Sequence, residues 1–343
     1  MARDGPAAAE DRPEQDGACA QRLAALRIRL EEAAGDVHTA EDWARCLRAA
    51  AWLRNESWAN VLLIAAQRPN ATTVRGYEAW RAAGRRVNRG EKAIEIFSQA
   101  RHRDGPDEDD HDYNWRDADR VAHVWDLSQT TGQALSARAA MLPPGETPPS
   151  LWDCLCWLAR REGFAVERER GCPGDGTTLW TARRIRVLPD LTNEQAIWAL
   201  ARQLGHVLLH NTVAPPSGTT TSGCQGVRKA EADSVAFVIC LRHGVEVEHT
   251  FSSPRIWAGS DPRAQPAATI LAVGKRITGA ATRISRLLDH YLSDACPAAV
   301  PEAETTANDA DTRLAAHPII EPASPRNLTP GSPASCTTQR SLR

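Results

Sequence analysis

Five consecutive residues in the second half of the chain have the spacing of a zinc-binding helix: Arg202, Gln203, Leu204, Gly205 and His206. A hydrolytic zinc site on one helix needs His-Glu-x-x-His, in which two imidazoles one turn apart bind the metal and the glutamate deprotonates the bound water. Here Arg202 stands at the first imidazole position and Gln203 at the position of the carboxylate. A guanidinium cannot bind a cation, and a carboxamide is not a general base. These residues therefore argue against catalysis and direct attention to the N-terminal half.

A basic stretch with interleaved aromatic residues is the second feature that could do chemistry. Between Arg68 and Arg103 there are nine basic and three acidic residues, a local charge of +6. The aromatic residues in and just before the stretch are Trp58, Tyr77, Trp80 and Phe97. Single strands of nucleic acid are held this way, with cations along the phosphates and aromatic rings against the bases. A solvated arginine-rich face over an aromatic core is the alternative interpretation.

Within this stretch the pattern separates core residues from candidate contacts. Trp80 and Phe97 occupy apolar-patterned positions and are predicted to be core, whereas Tyr77, beside Gly76, is the better stacking candidate. The candidate DNA-binding residues are Arg75, Tyr77, Arg81, Arg85, Arg86, Arg89 and Lys92.

The elements that must position these residues fall into two blocks, separated by the proline-rich run 143–149, which neither helix nor sheet tolerates. In the first block we expect helices over 40–53 and, after the N-cap Ser57, over 58–67, with strands at 93–97 and 121–126 and an acidic insertion over 105–119. In the second block the expected elements are helices at 150–162, 228–242 and 267–292, a strand at 185–187, and a long helix that starts at a Thr192–Gln195 capping box.

Composition sets the limits on function. The chain has 343 residues with 41 basic and 43 acidic ones, a formal charge of −2, so any nucleic-acid binding must come from local clustering. Nine cysteines without a disulfide-like or zinc-knuckle spacing, and no long apolar run, predict a cytoplasmic protein with reduced thiols and no membrane contact.

The first block resembles the N-terminal domain of ArdC-type antirestriction proteins over about residues 38–137. Four spaced pieces carry the resemblance: the segment 57–69 (SWANVLLIAAQRP), the segment 76–80 (GYEAW), the segment 84–94 (GRRVNRGEKAI) and the segment 124–132 (VWDLSQTTG). The chain departs from the pattern at Asn88, where a basic residue is usual, and at Ala93, where a glycine is usual. The resemblance implies binding of single-stranded DNA and a role in protecting incoming DNA from restriction.

The second block, over roughly 150–295, resembles ImmA/IrrE-like metallopeptidases through segments 204–210 (LGHVLLH) and 229–233 (KAEAD). The resemblance implies that His206 is the second zinc ligand and Glu231 the third. Three interpretations stay open. Arg202 pairs with Glu231 in a remnant without metal; or His206, His210 and Glu231 form a displaced site that binds zinc at low occupancy; or the histidines are ordinary core or capping residues.

The sequence therefore predicts an α+β protein with a small single-stranded-DNA-binding α+β domain, a helical zincin-like domain with a degenerate HExxH motif, and disordered tails. The expected boundaries are a mostly disordered N-terminal tail at 1–37, a DNA-binding domain at 38–140, a metallopeptidase-like domain at 150–295 and a disordered tail at 297–343. The expected partner is single-stranded DNA, and no cofactor is expected apart from weakly bound zinc. The alternatives are a zinc metallopeptidase acting on a DNA-bound regulator and a non-catalytic peptide-binding scaffold.

Overall fold

The computed structural model describes residues 11–98, 115–118, 120–135, 151–210, 226–258 and 265–295. All of them belong to one compact unit, residues 1–297. Most of the acidic insertion predicted at 105–119, and the whole tail predicted at 297–343, lie outside the described residues. The division into two domains stays a prediction.

The N-terminal segment differs from the expected tail at 1–37, because helix α1 spans Asp11–Gly35. Its side chains Leu23, Leu26, Leu30 and Ala34 are buried, and the helix packs on later helices and on the first sheet. Three- and four-residue spacing of these apolar residues is the signature of an amphipathic helix. The polar composition of the segment concealed that signature.

The helices of the first block begin where the sequence predicted. Helix α2 (Ala40–Trp52) starts at a capping box between Thr39 and Asp42, and helix α3 (Trp58–Gln67) starts at Ser57, whose hydroxyl accepts the N–H of Asn60 at 3.3 Å. Both caps satisfy N–H groups that have no partner inside a helix.

Two small antiparallel sheets complete the first block. In one sheet the strands lie in the order β1 (Val74–Arg75), β4 (Val121–Asp126) and β3 (Ile94–Phe97). In the other, β2 (Arg85–Val87) pairs with β5 (Thr130–Gly132), and helix α4 (Tyr77–Ala82) packs on β2. The predicted strands at 93–97 and 121–126 are confirmed.

Helix α3 covers the free edge of β3 with two amide side chains. Asn60 accepts the N–H of Phe97 at 3.0 Å and donates to its carbonyl at 3.2 Å. Two turns along the helix, Gln67 accepts the N–H of Glu95 at 3.0 Å and donates to its carbonyl at 2.8 Å. The outward-facing backbone groups of these two β3 residues are therefore satisfied by side chains.

The second block contains a mixed three-stranded sheet and five helices among the described residues. In the sheet, β8 (Arg184–Val187) lies between β6 (Ala165–Arg168), which is parallel to it, and β7 (Gly176–Leu179), which is antiparallel. The helices are α5 (Leu151–Arg161), α6 (Asn193–His210), α7 (Val227–Arg242), the short α8 (Pro254–Trp257) and α9 (Pro266–Ala295). The predicted capping box is confirmed, since Gln195 donates its N–H to Thr192 Oγ1 at 3.3 Å and accepts the N–H of Thr192 at 3.1 Å.

Two glycines permit the close helix contacts that hold this core together. A Cβ on Gly205 of α6 would lie 3.1 Å from the Cα of Ala232, so its absence lets α6 and α7 approach closely. On α9, Gly274 lies directly against the indole ring of Trp58, which donates its N–H to the carbonyl of Ile270 at 3.1 Å. The first block is thus packed against α9. Over the described ranges, each helix is either too short or too polar to cross a membrane.

Candidate nucleic-acid interface and the degenerate zinc helix

The segment from β1 to β3 presents Tyr77 and most of its basic side chains to solvent. Tyr77 is 49% exposed, although Trp80, in the next turn of α4, and Phe97 are fully buried, which confirms the predicted division between core and surface aromatics. The Tyr77 ring meets Trp125 edge-on at a centroid distance of 6.1 Å. The ring is therefore half exposed, so part of it can meet a stacking partner while the Trp125 contact restrains it.

The candidate cations fall into two groups. Arg81, Arg86, Arg89 and Lys92 are exposed, and Arg81 makes a solvent-exposed contact of 3.6 Å with Glu78. An ion pair of this kind contributes at most about 1 kcal/mol, so it does not prevent Arg81 from meeting a phosphate.

Arg75 and Arg85 form the second group, because both guanidinium groups have partners within the fold. Arg75 lies over the Trp80 ring at 5.2 Å. Arg85 donates from Nε to Thr130 Oγ1 at 2.8 Å and from Nη2 to the Thr130 carbonyl at 2.9 Å, while Nη1 binds the carbonyls of Gly132 and Gln133. Arg85 therefore joins β2 to β5, and this geometry favours a structural role over phosphate binding.

The motif at 124–132 fixes the turn that carries Arg89 and Lys92. The carboxylate of buried Asp126 accepts N–H groups from Thr72 at 2.8 Å and from Ser128 at 2.9 Å. Burial raises the pKa of Asp126, but these hydrogen bonds outweigh it and hold the pKa below its ordinary value. Gln129 accepts the N–H of Asp126 at 2.9 Å and donates to the Lys92 carbonyl at 2.8 Å, which connects β4 to the basic turn.

A close approach requires the last glycine of the motif. Gly132 has a φ of 149°, and a Cβ there would lie 2.4 Å from the carbonyl oxygen of Gly84. Sequence reasoning missed Trp125, whose indole contacts the Tyr77 ring and whose buried Nε1 has no hydrogen-bond partner among the described residues. Its only sequence signal is its place inside the motif.

The residues of the degenerate zinc helix do not pair as predicted. Arg202 forms an ion pair with Asp175 and lies 3.4 Å from the Gly176 carbonyl, so its predicted pairing with Glu231 is wrong. Asp175 immediately precedes β7, so the Arg202 side chain points toward that strand. Gln203 also faces β7, where it accepts from Thr178 Oγ1 at 3.0 Å and donates to the Gly176 carbonyl at 3.0 Å.

His206, His210 and Glu231 do come together, in a hydrogen-bonded chain. The Nδ1 atoms of the two histidines lie 3.1 Å apart, and His210 Nε2 lies 2.8 Å from Glu231 Oε2. Burial, His210 and Arg202 lower the pKa of His206 to about 3, so its imidazole is neutral at pH 7. Since a carboxylate only accepts hydrogen bonds, His210 Nε2 is the donor to Glu231.

Glu231 has a second partner on α9. It is completely buried, and its Oε1 lies 3.0 Å from Arg276 Nη1, at an angle too poor for a hydrogen bond, so the contact is ionic. Arg276 also donates from Nη2 to the Leu209 carbonyl at 3.1 Å. Sequence reasoning missed Arg276 because no local spacing connects it to Glu231.

The chain does not fit the zinc centre that the resemblance implies. Two of the positions that would act on a metal are Arg202 and Gln203, and both side chains are bound to the β7 region. Within the described ranges, no three His, Cys, Asp or Glu side chains are arranged to hold a metal ion. No reaction step through a metal follows from this arrangement.

The part of the chain that carries the basic surface is similar to one known domain. Residues 27–125 match the sequence model of the N-terminal domain of anti-restriction factor ArdC, which supports the resemblance seen in the first block. Antirestriction ArdC protein from the R388 plasmid is a solved structure similar to this chain. The metal-free form is 16% identical over 70% of this chain and 85% of that one, with a TM-score of 0.37. The Mn(II)-bound form is 13% identical over 68% and 89%, with a TM-score of 0.41. No curated protein sequence matches the chain.

Proposed function

We propose that the first block, residues 38–140, binds single-stranded DNA with little sequence preference, and that the protein protects incoming DNA in the manner of an antirestriction factor. The observation that carries the proposal is that Tyr77 and four cations of the same segment, Arg81, Arg86, Arg89 and Lys92, are all exposed to solvent. The match of residues 27–125 to the ArdC N-terminal domain supports it and is the sole support for the antirestriction role.

The arrangement suits single strands because the two kinds of contact serve different parts of the ligand. Exposed cations follow the phosphates of any sequence, and an aromatic face stacks on any base. Four phosphate contacts predict that the logarithm of affinity falls with the logarithm of salt concentration at a slope of about −3 for a single strand. Stacking on Tyr77 contributes about 1–3 kcal/mol.

The test is a fluorescence-anisotropy titration of the full chain with single- and double-stranded DNA of equal length at several salt concentrations. Replacing Arg86, Arg89 and Lys92 by Ala should flatten the slope by about 0.7 for each lost contact. The matched control replaces three exposed arginines of the second block by Ala and changes the net charge equally: Arg160, Arg170 and Arg255. Equal effects of the two triple variants, or a parent that does not prefer single strands, would refute the proposal.

The stacking contact has its own test. Tyr77→Phe should bind as the parent does, whereas Tyr77→Ala should bind about 5- to 150-fold more weakly, the equivalent of one stacked base. Trp52→Ala is the control, since Trp52 is another exposed aromatic residue, 43% exposed, on α2. If Tyr77→Ala loses no more affinity than Trp52→Ala, Tyr77 is not the platform.

A non-catalytic peptide-binding scaffold is the second candidate, favoured by a cavity of about 590 Å³ beside the start of α6. Its lining combines Trp198 with four carboxylates, from Asp175, Glu194, Glu246 and Glu248. Calorimetric titration with an arginine-rich peptide and a glutamate-rich peptide of equal length tests it. Selective binding of the basic peptide that Glu246→Gln with Glu248→Gln weakens would support this function, and equal binding of both peptides would reject it.

The metallopeptidase alternative has less support, because Arg202 and Gln203 are both held at β7 and neither can bind a metal or accept a proton from water. Chelator-sensitive cleavage of a peptide by the purified protein would reverse this preference.

A further inference from the structure

We propose that the guanidinium of Arg276 supplies the positive charge that a metal cation would otherwise supply at Glu231. The core formed by α6, α7 and α9 is therefore stable without bound metal. This inference is independent of DNA binding and concerns only how a buried carboxylate is neutralised. The motif predicts that Glu231 binds zinc, whereas its carboxylate contacts Arg276 and His210.

The need for a positive charge comes from the burial of Glu231. Its side chain is completely inaccessible to solvent, and an uncompensated carboxylate in such a place is strongly unfavourable. A zinc ligand satisfies this need by binding the metal. Here Arg276 Nη1 lies 3.0 Å from Oε1, and His210 Nε2 donates to Oε2 at 2.8 Å, so each oxygen of the carboxylate has a partner.

Arg276 is fixed for this role by the end of α6. Its Nη2 donates to the Leu209 carbonyl at 3.1 Å, one of the last carbonyls of the helix, which have no partner within the helix. The guanidinium therefore bridges α9 to the C-terminus of α6 while it faces the carboxylate from α7. A favourable interaction with the negative end of the helix dipole adds to this fixation.

The two histidines complete a hydrogen-bonded chain that ends at Glu231. His210 uses both ring nitrogens, Nε2 toward Glu231 and Nδ1 toward His206. Among the described residues these three side chains are not arranged to hold one metal ion. The rival arrangement is a zinc ion shared by the two Nδ1 atoms, with Glu231 orienting His210 from behind.

Thermal unfolding of the full chain, with EDTA and with one equivalent of ZnCl₂ or MnCl₂, tests the inference together with elemental analysis. The parent should contain no stoichiometric metal, and its Tm should shift by less than about 1 °C with either addition, because a ligand that does not bind the folded state cannot stabilise it. A rise of several degrees with zinc, or one zinc per chain after purification, would establish the rival arrangement and overturn the inference.

Substitution of the arginine gives the second arm, with a matched control on the same helix. Arg276 and Arg283 are both 48% exposed, and Arg283 lies 2.8 Å from Glu162, a carboxylate that still retains 18% exposure. Arg276→Met should lower Tm by about 5 °C because it leaves a buried charge without its cation, whereas Arg283→Met should lower it by about 2 °C or less.

A double variant keeps the test decisive if Arg276→Met does not fold. Adding Glu231→Gln removes the stranded charge while the side chain keeps its shape, so Arg276→Met with Glu231→Gln should recover most of the lost Tm or restore soluble protein. Equal Tm losses for Arg276→Met and Arg283→Met would overturn the inference. So would a double variant that is no more stable than Arg276→Met alone.

Discussion

Substituting Gly274 by Ala should strongly destabilise the protein, because the contact of α9 with Trp58 leaves no space for a methyl group. A Cβ at this position would lie 1.9 Å from Trp58 Cε2 and 2.1 Å from Nε1. Contact at the ordinary distance of 3.4 Å requires a retreat of about 1.5 Å by the indole or by α9. A shift of that size changes the packing of a tryptophan that is 2% exposed.

The indole packs against a second buried tryptophan. Trp58 is 2% exposed, its ring lies 5.5 Å from that of Trp43, and Trp43 in turn contacts Trp257 at 5.1 Å. Overpacking of this kind costs about 1–3 kcal/mol, and loss of the hydrogen bond to the Ile270 carbonyl adds about 1 kcal/mol. We therefore expect a loss of about 2–4 kcal/mol, equivalent to a fall in Tm of about 5–15 °C.

Urea denaturation and calorimetry of Gly274→Ala measure this loss. The control is Gly35→Ala at the end of α1, where a Cβ would meet nothing within 4 Å, so its stability should change by less than about 1 kcal/mol. Combining Gly274→Ala with Trp58→Leu should cost less than the sum of the two single changes, because the smaller side chain removes the clash. A Gly274→Ala protein as stable as Gly35→Ala would refute the reasoning.

Two further predictions concern Arg85, which is hydrogen-bonded within the fold, and a buried histidine. Arg85→Lys should reduce stability by about 1–2 kcal/mol, since it loses hydrogen bonds to Thr130, but should leave the salt dependence of DNA affinity unchanged. Urea denaturation measures the stability and fluorescence anisotropy measures the salt dependence. A salt slope as flat as that of Arg86→Ala would contradict the structural role of Arg85. Burial and two neighbouring arginines lower the pKa of His243 from 6.5 to about 4, so the unfolded chain binds the extra proton and stability falls as the pH drops from 6.5 towards 4. Glu56, whose pKa burial raises from 4.5 to about 7, opposes this trend by losing stability as the pH rises, so the measurement is the difference between the parent and His243→Gln. That difference should change by about 1.4 kcal/mol per pH unit between pH 4 and 6.5, and a constant difference would show that His243 does not titrate as stated.

Local sequence signals predicted the elements well where a short-range contact decides the structure. Ser57 and Thr192 cap helices within three residues of themselves, and the alternation at 121–126 coincides with β4. The N-terminal helix was missed because charged residues outnumber its apolar stripe, although Leu23, Leu26 and Leu30 have helical spacing. Only packing against later parts of the chain stabilises that stripe.

The candidate sites depended more on distant contacts and were less predictable. Arg85 and Arg86 are neighbours in one basic run, but the fold treats them differently. Because β2 pairs with β5, Arg85 binds Thr130, which lies 45 residues later in the chain, whereas Arg86 stays exposed. Arg202 was expected beside Glu231, but Asp175 holds it, and Arg276 takes the place at the carboxylate. Arginine-rich composition gives many possible partners for each acid, and only the fold selects among them.

The amide contacts of α3 with β3 have a consequence for the behaviour of the protein in concentrated solution. An uncovered outer strand offers a row of N–H and carbonyl groups on which a second molecule can add its own strand, the first step of sheet-mediated aggregation. Asn60 and Gln67 of α3 form hydrogen bonds with those backbone groups at Phe97 and Glu95. A helix, unlike a strand, offers no further row of backbone groups for pairing. The β3 edge is therefore protected from pairing with a second molecule, and two polar side chains provide this protection instead of an additional strand.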